Sequence, residues 1–209
     1  MTAKARKRSG TPKAKARRAR VPADGPDVLT SLKPDESAAF LRVLLERHPE
    51  LRAEAEAVGK AAIAVVCADE IADEIEEAIL GLDLDDLDAR AGRHSWGYVE
   101  PGEAAWEILQ EAIDPFMQDM KRHVDLGFEA AAVATCEGIV MGLYRVRGKE
   151  PDGILGYAED FPGEAAANAV TALARESARR HRRRWTPSVS LLDAVPEWAA
   201  MVERCIRGK

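Results

Sequence analysis

Apolar residues recur along this chain at spacings of three and four, and Pro or Gly punctuates the runs. That pattern predicts helices rather than strands. Ala38, Leu41, Leu44 and Leu45 form the first stripe, on a helix from about Pro34 to His48. Pro34 suits a first helical turn, and Asp35 and Glu36 follow where a helix dipole favours acids. Pro49 either ends that helix or starts the next one, to about Val58, before Gly59. A longer one is expected over Lys60 to Leu80, with Ile71, Ile75, Ala78, Ile79 and Leu82 along one face. Gly81 to Asp88 reads as a loop, and residues 89–100, with Gly92 and Gly97, as irregular.

Pro101 opens the next helix, striped by Ala105, Trp106, Leu109 and Ile113. Asp114-Pro115 predicts a kink or a fresh start with Asp114 as cap, because proline removes a donor and clashes with the preceding turn. The helix resumes to a stop at Gly127. Phe128 to Arg147 is Ala-rich. Ala132, Cys136, Ile139, Val140 and Leu143 share a face, and Gly138 and Gly142 allow close packing, so this is expected to be the central helix. After a Gly/Pro loop, Gly148 to Phe161, a helix from Pro162 carries Ala166, Val170 and Leu173 and ends in basic residues. A last helix, about Pro196 to Arg207, places Trp198, Met201, Val202 and Cys205 at i, i+3, i+4 and i+7. The fold class is therefore all-α: antiparallel helical hairpins forming a bundle or short repeat-like scaffold.

Composition adds a split in charge. The net charge is -6 over 209 residues, yet residues 1–20 hold nine bases and no acid. These are Lys4, Arg6, Lys7, Arg8, Lys13, Lys15, Arg17, Arg18 and Arg20. The remaining chain sets 21 bases against 36 acids, or -15. Residues 1–26 read as a disordered tail and linker, since their charges, Pro and Gly leave nothing to repay ordering entropy. Residues 27–209 form the helical domain. The basic start runs into a Pro/Gly linker rather than an apolar stretch, which argues against a secretory signal. No apolar run approaches a membrane span. A cytoplasmic setting is expected, with the tail able to associate with the nucleoid.

Three cysteines, Cys67, Cys136 and Cys205, lie far apart with no CxxC, so neither a disulfide framework nor a zinc finger is indicated. Each is expected on a helix face as a small apolar residue.

Short phrases carry a resemblance. Leu41 to Arg52, LRVLLERHPELR, looks like a segment in the helical region of bacterial proteins that carry a SWIM zinc finger. Gly97-Tyr98-Val99-Glu100 with Glu103-Ala104 and Ala105-Trp106 is similar to that family's Gly-Phe-Ile and Glu-Ala segment. Gly127, Glu137, Leu143 and the loop Pro151-Asp152-Gly153-Ile154-Leu155-Gly156 continue the likeness, over about residues 35–160. The family's zinc-binding CxC…CxH is absent, so metal binding does not carry over. The resemblance implies a tetratricopeptide-like helical scaffold.

The chemistry expected is binding. The nine tail cations can neutralise nucleic-acid phosphates without sequence preference. Arg179, Arg180, Arg182, Arg183 and Arg184 could extend that surface to DNA or RNA, or pair with acids of the body; a basic helix C-terminus is also favourable in itself. Ten acids and no base lie between Asp69 and Asp88. Asp69, Glu70, Asp73, Glu74 and Glu77, with Trp96 and Tyr98 from the Gly-flanked segment, are the expected contact residues for a basic protein partner. The alternative is a metal-dependent nucleotide hydrolase using Glu70, Glu74 and Glu77, or Glu111 and Asp114. A solvated acidic face explains the same residues. No residue is assigned to catalysis, and no cofactor or metal is indicated. Finally, the tail could dock on its own acidic helix until nucleic acid or a partner displaces it.

Overall fold

Small residues spaced four apart let two helix backbones approach closely, and such a pair lies at the centre of this chain. The computed structural model describes residues 28–95, 97–149, 152–181 and 185–208, with backbone alone at 180 and 181. The basic tail, Trp96 and Arg182 to Arg184 lie outside the described residues. The chain divides into two compact units, Met1–Ala53 and Glu54–Lys209.

In the first unit, α1 (Pro34–Arg47) begins as its sequence predicts. Glu36 accepts the Lys33 backbone N–H at 3.0 Å, satisfying one orphan donor of the first turn. A 3₁₀ turn, Pro49–Leu51, leads to α2 (Arg52–Ala64), which lies in the second unit from Glu54 on and runs through Gly59 without stopping. Nothing in α1 or α2 is buried.

The second unit holds α3 (Ala68–Leu80), α4 (Leu84–Arg90), a hairpin of β1 (Gly92–His94) and β2 (Gly97–Val99), α5 (Pro101–Leu126), α6 (Glu129–Val146), α7 (Phe161–His181), α8 (Val189–Ala194) and α9 (Ala199–Arg207). α6 is central and packs against α3, α5 and α7. Cys136, Ile139, Val140 and Leu143 are fully buried on it. Its glycines meet α3. A Cβ on Gly138 would lie 2.6 Å from the Ile71 Cβ and 2.7 Å from the Ala68 carbonyl oxygen. One on Gly142 would lie 2.8 Å from the Ile75 Cβ and 2.9 Å from the Ala72 oxygen. The i, i+4 row of one helix thus seats in the groove of the other at a separation that no side chain permits.

Three further contacts close the body. Trp106 of α5 meets Phe161 edge-on, centroids 5.0 Å apart. Tyr144 of α6 meets Trp198 in the same way at 5.1 Å. Arg147 lies over the Tyr144 ring and pairs with Glu197 at 2.6 Å. No helix among the described residues is long and apolar enough to cross a membrane.

The all-α expectation holds, and besides the run of α2 through Gly59 four local expectations need correction. The helix expected over Lys60 to Leu80 is broken at Val65–Cys67. The adjacent β-branched Val65 and Val66 lose rotamer freedom in a helix, and Cys67 is extended. The expected loop at Gly81–Asp88 contains the start of α4, where the Asp83 carboxylate accepts the Asp85 N–H at 3.1 Å and Leu87 is buried. Residues 92–94 and 97–99 pair as antiparallel strands instead, with Gly92 at φ 99°. Pro115 neither stops nor restarts α5. Ile113 and Met120, buried on either side of it, hold both halves to one core. Asp114 is no cap and instead accepts from the Gln110 amide at 2.8 Å.

The seam makes a stability prediction. Gly138→Ala should destabilise the protein by about 1–3 kcal/mol in urea denaturation, as an overpacked core does. Gly59→Ala, whose Cβ would meet nothing within 4 Å, should instead gain about 0.5–1 kcal/mol. Equal stability of Gly138→Ala and the wild type would rule the close seam out.

Candidate partner-binding cleft

The break at Val65–Cys67 turns the chain from α2 into α3 and leaves an open cleft of about 280 Å³ beside α5. Its apolar lining comes from Val65, Val66 and Ile71 on one side and Phe116 on the other. Its polar lining is Glu70 and Glu74 from α3, Asp119, Arg122 and His123 from α5, and Thr135 from α6. Val65 is 83% exposed, an apolar residue left open to solvent at the rim.

The acids of α3 divide between two surroundings. Asp69 and Asp73 receive Arg145 of α6, at 3.3 and 2.5 Å. Glu76 receives Lys149 at 2.6 Å. These cations stand more than seventy residues away in sequence, which is why a stretch devoid of bases is nonetheless partly neutralised. Glu70 and Glu74 face the cleft instead, with no ion pair among the described residues. Glu77 is exposed and outside the cleft lining. So Glu70, Glu74 and Glu77 do not line one common site. Glu111 and Asp114 are also separated in role. Arg90 holds Glu111 in a two-pronged pair at 2.7 and 2.6 Å, and that hydrogen bonding lowers the carboxyl below its ordinary range. No group of three or more His, Cys, Asp or Glu among the described residues is placed to hold a metal ion.

His123 and Thr135 are the buried polar members of the cleft, 8% and 1% exposed. The Thr135 hydroxyl donates to the Ala131 carbonyl at 2.9 Å, so its oxygen is free to accept from His123 Nδ1 at 3.2 Å. The ring therefore carries its proton on Nδ1 and leaves Nε2 as an acceptor. Burial lowers its pKa, opposed by Asp119 and aided by Arg122. With Glu70, Glu74 and Asp119, the cleft offers acceptors almost throughout. Arg122 is the exception, 3.9 Å from Asp119.

Other expected contact residues lie elsewhere. Tyr98 is 62% exposed on β2. Arg179 pairs with Glu176 at 3.0 Å, one helical turn away, rather than with the Asp69–Asp88 acids. The side chain of Arg180, like Trp96, Arg182 to Arg184 and the nine tail bases, is outside the description. Cys67 is not on an apolar helix face; it is exposed at the start of α3. Cys136 is buried as expected, and burial pushes its thiol far up, which makes it unreactive. His123, Asp119 and Phe116 were not singled out by sequence. They sit one turn apart on α5 around Met120, and only the helix phase across Pro115 would have revealed them. No family model, curated protein or solved structure matches this chain.

His123 sets a pH dependence. Its folded-state pKa is lowered, so on acidification below about pH 6.5 the unfolded chain takes the proton first, and stability falls as the pH drops toward the folded-state pKa. The stability advantage of the wild type over His123→Leu should therefore shrink between pH 7.5 and pH 5. A constant difference in urea midpoint across that range would contradict a buried neutral imidazole.

Proposed function

We propose that the protein is a helical interaction module whose α3–α5 cleft receives a basic, partly apolar segment of a protein partner, while the N-terminal tail makes non-specific nucleic-acid contacts. The observation that carries the cleft reading is its surplus of acceptors: three carboxylates and the His123 Nε2 against one guanidinium, around an apolar floor. Lysine and arginine side chains bring donors only, and their long methylene stems can lie on Val65, Val66 and Phe116. Charges at such a rim select partners and speed encounter more than they add affinity. The tail reading rests on the nine bases within residues 1–20 and on the counterion release that accompanies phosphate contacts.

A synthetic peptide of alternating Lys and Leu tests the cleft. Fluorescence anisotropy at low salt should give an affinity about tenfold weaker for Glu70→Gln/Glu74→Gln than for wild type, or about 1.4 kcal/mol. An unchanged affinity would sink the cleft reading. Nucleic-acid retention tests the tail separately. Removing residues 1–20 should abolish low-salt retention on duplex DNA and flatten the salt dependence of log K by up to about 8. Equal retention with and without the tail would remove that part of the proposal.

A further inference from the structure

A polar atom withdrawn from water normally finds a partner inside the protein. His123 keeps one that has not. Its Nδ1 is committed to the Thr135 hydroxyl, which is itself fixed by the Ala131 carbonyl. Nε2 has no hydrogen-bond partner among the described residues. Nor is it sealed off. Among the described residues the Trp185 indole nitrogen is the only fully buried side-chain polar atom without a partner. Nε2 therefore keeps accessible surface, on a buried residue whose opening is the α3–α5 cleft.

The groups around that lone pair select what can meet it. α5 brings Asp119 and Arg122, α3 brings Glu70 and Glu74 with Cys67 at its start, and α6 brings the Thr135 hydroxyl. Asp119 stands one helical turn before His123, and Arg122 approaches it only to 3.9 Å. Val66, Ile71 and Phe116 supply apolar walls. A recessed acceptor, nearby carboxylates and apolar walls call for a donor that is cationic and slender. An ammonium on a flexible four-carbon stem is one: a compact charge with three donors, whose methylenes can lie on the walls. A guanidinium is not. Its planar fork is made for two parallel bonds to one carboxylate, and a single ring nitrogen offers it one.

We infer that the cleft anchors its partner by one lysine side chain, whose ammonium donates to the neutral His123 Nε2 while Glu70, Glu74 and Asp119 balance its charge. The inference rests on the partner reading above and names the residue that the site selects. His123 is then the specificity-determining residue, and its protonation is the release. A proton on Nε2 turns the acceptor into a donor and sets a positive charge against the ammonium. The neutral ring binds and the imidazolium does not. Burial holds the ring's pKa below its ordinary value, so the cleft is in its binding form at neutral pH.

Calorimetric titration of the full chain with the Lys/Leu peptide and with an Arg/Leu counterpart tests it. At pH 7.5 the Lys peptide should bind about threefold or more tightly than the Arg peptide. From pH 7.5 to pH 5 its affinity should fall about threefold or more. His123→Gln, whose amide oxygen accepts throughout that range, should lose most of the fall, although the carboxylates of the cleft are unchanged. Diaminopentane, a free alkylammonium, should bind about tenfold or more weakly than the peptide. The peptide and pH comparisons use the wild-type chain and stand whether or not the variant folds. Four results would overturn the inference while leaving the partner reading intact: an Arg peptide that binds as tightly, a Lys peptide indifferent to pH, a pH dependence that persists in His123→Gln, or diaminopentane binding as tightly as the peptide. Failure of both peptides to bind would remove the partner reading and the inference with it.

Discussion

The close approach of α3 to α6 at Gly138 and Gly142 governs the rest of the second unit. With a Cβ at either position, Ile71 or Ile75 and the backbone of α3 would have to move away. Because they need not, α3 lies against α6 in one register. That register presents Asp69 and Asp73 to Arg145 and Glu76 to Lys149. It also turns Glu70 and Glu74 outward toward α5, into the cleft. The ion pairs are exposed and individually weak. They follow from the seam more than they create it.

Charge segregation then takes a specific form. The acidic stretch is not one uniform surface. One side is partly neutralised by Arg145 of α6 and by Lys149 just beyond its end, and the other meets an apolar floor and a buried histidine. Folding alone does not require Glu70 and Glu74 to remain without ionic partners among the described residues.

Much of the architecture was legible because helix stripes and their stops are local. Pro34, Pro101 and Gly127 mark helix ends as their backbone chemistry demands, and the Cys136, Ile139, Val140 and Leu143 face identified the central helix. Gly138 and Gly142 signalled close packing, although not the partner helix. What escaped reading depended on tertiary context. The apolar residues of Val65–Cys67 continue a helical pattern that the backbone does not follow. Pro115 should have interrupted α5, yet burial on both sides carries the helix through it. The short α8 rests on a contact 51 residues away, where Glu137 accepts from both the backbone N–H and the hydroxyl of Ser188. The cleft was half visible. Its acids stood out by composition, whereas His123, Phe116 and Asp119 depend on how α5 is phased against α3.

The central claim is that the glycine seam builds the acidic cleft. Calorimetric titration of the Lys/Leu peptide into Gly138→Ala tests it most directly, at a temperature where the far-UV spectrum of the variant matches that of the wild type. Every charge of the cleft is intact in that variant, and only the spacing of α3 from α6 changes. The account predicts peptide binding several-fold weaker than in the wild type. An unchanged affinity would contradict it.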